Sequence, residues 1–284
     1  MPGSEYLRYV ALGDSQTEGL GDGDETGGLR GWADRLADRL ADRLAETSPG
    51  LRYANLAVRG RLASQVHAEQ LGPALALRPD LATVVAGVND LLRPRFDADE
   101  VAGHLEAMFA ALTAQGALVA TLTFPDIARI TPLARPAAPR AAALNQRIRA
   151  AALRHGVVVA ETSHHAVVTD PRLWSRDRLH ASPLGHERIA AAVAHALGLP
   201  GSGDDWTNPL PSPAAVPSGW RAAAVELRWA AAFLGPWLGR RLRGRSSGDG
   251  RTAKRPHLLP VAILPAGNRP GGPMDGLGAP ADTA

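Results

Sequence analysis

Late in the chain a histidine stands three residues after an aspartate, in Asp177-Arg178-Leu179-His180. At that spacing the carboxylate can accept a hydrogen bond from one ring nitrogen, which fixes the tautomer and leaves the other nitrogen free to act as a base. Ser182-Pro183 follows and reads as a helix start. Three earlier blocks carry polar groups of complementary kinds. Gly13-Asp14-Ser15-Gln16-Thr17-Glu18-Gly19 sets a serine directly after an apolar run, among glycines that permit a tight turn and close backbone approach. Asn55-Leu56-Ala57-Val58-Arg59-Gly60 ends in a glycine whose backbone N–H can point into a pocket. Gly87-Val88-Asn89-Asp90 offers an asparagine amide able to donate to a developing oxyanion. Each block alone also has a plain structural reading: a Gly/Asp/Ser turn, an Asx turn or helix cap, a loop histidine beside a surface aspartate.

Short apolar runs at Tyr9–Leu12, Tyr53–Ala57, Leu81–Ala86, Leu118–Phe124 and Val157–Ala160 are the strand candidates. Three of them are apolar on both faces, as buried parallel strands are. Helical patterns fall between them near 30–46, 62–77, 98–115 and 137–154, with a closing one near 183–197. This β–α alternation predicts an open parallel sheet covered by helices on both faces, and such sheets place their ligands beyond the carboxyl ends of the strands. Each block follows a predicted strand or precedes the last helix. Within the first helix, ADRL repeats three times at 33–44, and Trp32, Leu36, Leu40 and Leu44 form one apolar stripe. Arg35–Asp38 and Arg39–Asp42 are expected to pair on its solvent side.

Taken together and in this order, the four blocks resemble those of the SGNH (GDSL-type) hydrolase family of esterases and lipases, and the resemblance spans roughly residues 6–198. It implies a flavodoxin-like three-layer α/β/α sandwich with a five-stranded parallel sheet in the order 2-1-3-4-5. It also implies Ser15 as nucleophile, His180 as general base and Asp177 as the carboxylate that orients it. The oxyanion hole would consist of the backbone N–H groups of Ser15 and Gly60 and the side-chain amide of Asn89. The chain departs from the eponymous motif at Gln16, where the family has leucine, and Asp14 is expected to brace the loop. The implied substrate is a small-molecule ester, by default a short-chain acyl or acetyl ester with lipids and acetylated sugars open, and no cofactor is required. An acyltransferase on the same site and a non-catalytic binding module of the same fold are the alternatives. A metal-dependent hydrolase built on Asp177, His180 and His186, with His164 or His165, is a further rival, but it leaves Ser15, Gly60 and Asn89 without a purpose. Arg59 and Arg61, flanking the expected oxyanion glycine, either attract an anionic substrate or are solvated.

Composition sets the outer limits. The chain has 284 residues, 45% apolar and 21% charged, which excludes a wholly disordered or fibrous protein. It has no cysteine, so a thiolate nucleophile, a disulfide scaffold and Cys-ligated metal sites are excluded. Residues 1–200 carry 21 basic and 22 acidic side chains, a balance that argues against nucleic-acid binding by the body of the protein. No signal-peptide pattern or long apolar span is evident, and a cytoplasmic location is expected. After Pro200 the composition changes: 24 of 84 residues are Pro or Gly. Residues 1–200 are therefore read as the catalytic domain and 201–284 as an extension. One stretch of the extension, 220–243, spaces Trp220, Leu227 and Leu234 by seven and Trp229, Phe233 and Trp237 by four, which makes an amphipathic helix broken or kinked at Gly235-Pro236. Residues 220–255 hold nine basic and two acidic side chains. Two roles stay open for this helix, a weak contact with an anionic membrane surface or packing on the catalytic domain. Beyond Gly244 no fixed structure is expected.

Overall fold

A computed structural model describes residues 7–24, 26, 28–47, 49–211, 219–236, 239 and 246–261. Strand β1 (Arg8–Gly13) runs into a single turn, α1 (Ser15–Glu18), and then a small hairpin of β2 (Gly23–Asp24) and β3 (Gly28–Leu29). Next come α2 (Trp32–Arg43), β4 (Arg52–Asn55), α3 (Ala63–Leu77), β5 (Leu81–Val85), the short turn α4 (Val88–Leu91) and α5 (Ala98–Ala114). After β6 (Leu118–Leu122) follow the short α6 (Ile127–Ile130), α7 (Ala138–His155), β7 (Val158–Ala160) and α8 (Pro183–Ala196). The extension contributes α9 (Gly219–Trp229) and β8 (Arg255–Pro260).

The main sheet has the order β7-β6-β5-β1-β4-β8. Its first five strands are parallel, in the expected 2-1-3-4-5 arrangement, so β1 lies between β4 and β5. Helices α3, α5 and α7 pack together as one layer, and α2 packs with α8 as the other. The strands between them are buried on both faces, all five residues of β5 included, which is why they read as unbroken apolar runs. Trp32, Leu36 and Leu40 of α2 are fully buried, as the four-residue stripe requires.

Two expectations need correcting. The sheet has six strands and is mixed, because β8 pairs antiparallel with β4, joining Tyr53 to Leu259 and Asn55 to Arg255. The segment after Gly244 is therefore not structureless throughout; residues 262–284 lie outside the described residues. Proline is tolerated in β8 because the strand is at the sheet edge. What anchors it is long-range: Lys254 Nζ donates to Asp34 Oδ2 at 2.5 Å and to Leu29 O at 2.9 Å, and Arg255 Nε donates to Tyr53 O at 2.8 Å. Secondly, the expected charge pairs within α2 do not form. Arg35 pairs instead with Asp22 at 2.5 Å and Glu187 at 3.0 Å, and Arg39 also pairs with Glu187, because α8 lies alongside. The helix of the extension, expected to be broken or kinked at Gly235-Pro236, is regular as α9 and changes its winding just before that point. A π-helical turn over Ala230–Leu234 precedes them, with the Gly235 N–H donating to Ala230 O. The wider turn lets the helical path continue into a proline that has no N–H to give.

Since β8 covers the open edge of β4, a chain ending at Gly250 is expected to melt several degrees lower and to self-associate, as measured by calorimetry and light scattering. A truncated chain that stays monomeric and melts like the full one would show that β8 protects nothing.

Candidate active site

All four polar blocks converge at the carboxyl edge of the sheet. The end of β1 is pinned by Gln70 of α3, whose amide accepts from Gly13 N at 2.8 Å and donates to Gly13 O at 2.8 Å. A Cβ on Gly13 would lie 2.5 Å from Val85 O, so only glycine lets β1 leave the sheet this close to β5. Asp14 then caps α1 by accepting from Gln16 N, and Ser15 follows as the first residue of that turn. Opposite it, the loop before α8 brings in His180. Its Nε2 lies 2.9 Å from Ser15 Oγ, and its Nδ1 lies 2.6 Å from Asp177 Oδ2. A proton on Nδ1, facing the carboxylate, leaves Nε2 to accept from the serine hydroxyl.

The Asp177 carboxylate is held in turn. Its Oδ1 accepts from the N–H groups of Leu179 and His180 and from Ser175 Oγ, at 2.9, 3.0 and 2.6 Å. Burial opposes its charge, but the hydrogen bond and charge of His180, together with the backbone and serine donors, outweigh burial and hold its pKa well below the usual carboxylate range. Arg178, at φ 57°, supplies the left-handed bend that folds Asp177 back onto His180. Gln16 ties the two halves together: its Nε2 donates to Leu179 O at 2.8 Å and its Oε1 accepts from Ala181 N at 3.1 Å. The position where the chain departs from the motif is therefore a brace on both sides of His180.

Gly60 and Asn89 line the same pocket as Ser15 and His180. Gly60 sits at φ +75°, and its loop is fastened by a buried ion pair: Glu18 accepts from Arg59 N at 2.6 Å and from the Arg59 guanidinium at 2.7 Å. Arg59 is thus neither solvated nor available to a substrate, and Arg61 pairs with Glu69 at 2.8 Å. The Asn89 amide is already engaged, donating to Asp14 Oδ2 at 3.1 Å and to Arg61 O at 3.0 Å. Burial pushes the Asp14 carboxyl up to about 7, against the opposing pull of the Gln16 N–H, the His180 charge and the Asn89 amide. Asp14 is the expected brace, linking the serine turn to Asn89.

His186 does not join this group. It is fully buried, accepts from Trp32 N at 3.1 Å and donates to Leu20 O at 2.9 Å, and burial pushes its pKa down to about 4. Its role is to join α8 to α2. His164 contacts Arg149 and Glu161, and His165 packs on Trp206. Among the described residues no cluster of three or more His, Asp or Glu side chains is placed to hold a metal ion.

The pocket is an apolar cavity of about 540 Å³, with Val85, Leu122, Phe124, Ile127 and Ile130 among the residues that line it. Phe124 is oriented by Asn145, which accepts from its N–H at 2.8 Å and donates to its carbonyl at 2.7 Å. Sequence reasoning missed the roles of Gln16, Gln70 and Asn145. The one available signal was a polar amide among the apolar positions of a helix, at Gln70 and Asn145.

The sequence model of the GDSL-like lipase/acylhydrolase family matches residues 11–188. The chain belongs to that family. Its fold is similar to several solved structures. One is LAE5, an alpha/beta hydrolase enzyme from the metagenome of Lake Arreo, Spain, with 22% identity over 69% of this chain and 97% of that one, TM-score 0.58. Another is the acetylxylan esterase Axe2 from Geobacillus stearothermophilus, with 18% identity over 70% of this chain and 97% of that one, TM-score 0.59. A third is a lipase/acylhydrolase from Enterococcus faecalis, with 21% identity over 67% and 94%, TM-score 0.54. No protein with a curated description matches by sequence. This GDSL-family chain has no helix, among its described residues, long and apolar enough to cross a membrane.

The Asp14 shift sets a pH dependence. With its folded pKa near 7, above the 3.8 of a free aspartate, the native state binds this proton more tightly than the unfolded chain does. Its contribution to stability is fully present below pH 4 and is lost as pH rises to about 7. The melting temperature of Asp14→Asn minus that of wild type is therefore expected to climb between pH 4 and pH 8. A flat difference would mean that Asp14 ionises as an ordinary surface carboxylate.

Proposed function

We propose that this protein is a serine esterase that hydrolyses carboxylic esters through an acyl-enzyme formed on Ser15. The observation that carries the reading is the unbroken chain of contacts from Ser15 Oγ to His180 Nε2, 2.9 Å, and from His180 Nδ1 to Asp177 Oδ2, 2.6 Å. A serine hydroxyl is a weak nucleophile until a base removes its proton as it attacks, and His180 is within reach to do so. Asp177 stays ionised, keeps the imidazole in the required tautomer and stabilises the imidazolium that forms.

Attack on the ester carbonyl moves charge onto its oxygen. The backbone N–H groups of Ser15 and Gly60 and the Asn89 amide are the donors assigned to it. Asn89 carries two N–H groups, and one must be shared between its present acceptor and the oxyanion. His180 then protonates the departing alcohol, and in the second half it activates the water that releases the acid. The family's acylhydrolase character and the esterase names of the similar structures support ester hydrolysis as the reaction class. Short-chain acyl and acetyl esters are the simplest substrates, and the apolar cavity also supports longer chains.

On p-nitrophenyl acetate and butyrate, Ser15→Ala and His180→Ala are each expected to lower kcat by at least about 10³-fold, and Asn89→Ala by about 10²–10³-fold. EDTA should have no effect. Hydrolysis that persists in Ser15→Ala, or that disappears with EDTA, would overturn the reading.

A further inference from the structure

We infer that α9 forms part of the substrate pocket, and that Trp229 and Phe233 are specificity-determining residues that wall a site for an apolar acyl chain of medium length. This deepens the serine-esterase reading and rests on it.

The helix is fastened to the loop that carries the acid and the base. Trp229 Nε1 donates to Asp177 O at 3.2 Å, and Glu226 pairs with Arg178 at 2.6 Å. The Arg178 guanidinium also stacks over the Trp229 ring, 5.2 Å from its centroid. Arg178 is the residue whose left-handed conformation bends Asp177 toward His180, so α9 grips that bend directly. Trp229 and Phe233 are four residues apart, and both face the cavity that contains Ser15 and His180. The extension also meets the opposite side of the pocket. Ser246 Oγ donates to Gly60 O at 3.4 Å, Ser247 lines the cavity, and Gly248 passes so close to Arg59 O that a Cβ would lie 2.0 Å away. Beyond that contact, β8 fixes the chain to the sheet. The extension thus has a foot on each side of the serine.

What this wall selects follows from the chemistry of the lining. A cavity of about 540 Å³ is far larger than an acetyl group needs and falls within the range of roughly 300–1,000 Å³ typical of small-molecule sites. Among the described residues, the three charged side chains that line it are all engaged within the protein: Asp177 with His180, Arg178 with Glu226, and Arg188 with Asp205 O. A ligand that fills the space is therefore apolar. Phe233 is still 37% exposed, an aromatic surface at the pocket that an acyl chain would cover. The family match ends at residue 188, before α9, and the similar solved structures leave roughly three-tenths of this chain unmatched. The wall lies outside the family match, where a specificity particular to this chain would be built.

The experiment compares kcat/KM on p-nitrophenyl decanoate and p-nitrophenyl acetate. Since each buried methylene changes an equilibrium about fourfold, Phe233→Ala and Trp229→Ala should each lower the decanoate-to-acetate ratio by about tenfold or more. Leu227→Ala, on the outward face of α9 and 72% exposed, should leave the ratio unchanged. A second arm titrates decanoate by calorimetry into the same variants combined with Ser15→Ala, and expects about tenfold weaker binding for Phe233→Ala and for Trp229→Ala. An unchanged ratio, or unchanged decanoate affinity, in both wall variants overturns the inference. Weakened decanoate binding in a protein that hydrolyses no ester would uphold the wall and defeat the esterase reading instead.

Discussion

At the carboxyl ends of parallel strands the backbone leaves the ladder, and its N–H and C=O groups must find new partners in a place where most are buried. An unpartnered buried group costs about 1–3 kcal/mol, so loops here cannot simply be left to fold as they will. This protein meets the constraint with side-chain amides, each able to donate and accept at once. Gln70 closes on both backbone groups of Gly13, Gln16 spans Leu179 and Ala181, and Asn145 closes on Phe124. Asn55 joins Thr17 O to Ala57 N. The geometry around Ser15 and His180, residues 165 apart in the chain, depends on these braces more than on the modest hydrogen bond between the two side chains themselves.

The charged groups follow the same logic at higher stakes. Glu18 and Arg59 are both buried, and breaking a buried ion pair of this kind costs about 3–5 kcal/mol. Their pairing joins the turn that carries Ser15 to the loop that carries Gly60. Asp14 has no such cation beside it, only amide donors and the neighbouring His180, and its raised pKa is the consequence. Asp177, supplied with three donors besides the His180 ring, is shifted the other way. Two carboxylates close to one histidine are thus driven apart, Asp14 upward by burial and Asp177 downward by its hydrogen bonds and the charge of His180, which separates a bracing role from an orienting one.

Much of this was legible in the residues. Apolar runs located the five parallel strands, the helical periods located the helices between them, and the four polar blocks fell at the strand ends where the fold brings them together. Local pattern determines such features, because burial on two faces dictates composition directly. What was not legible depends on partners far away in the chain. Arg35 and Arg39 have aspartates at helical spacing, yet they reach Glu187 because α8 lies beside α2. Arg59 looks like a surface residue until Glu18 is placed opposite it. Strand β8 sits in a proline-rich stretch and exists because Lys254 and Arg255 find Asp34 and Tyr53. Gln16 looked like a minor departure from a motif, since nothing near it in sequence reveals that Leu179 and Ala181 flank its amide.

Whether Ser15 is the nucleophile can be decided by exposing the protein to a fluorophosphonate and locating the adduct by peptide mass spectrometry. One adduct, on Ser15 and absent from His180→Ala, is the expected result. An adduct on another residue, or ester hydrolysis that continues with Ser15 unlabelled, would contradict it.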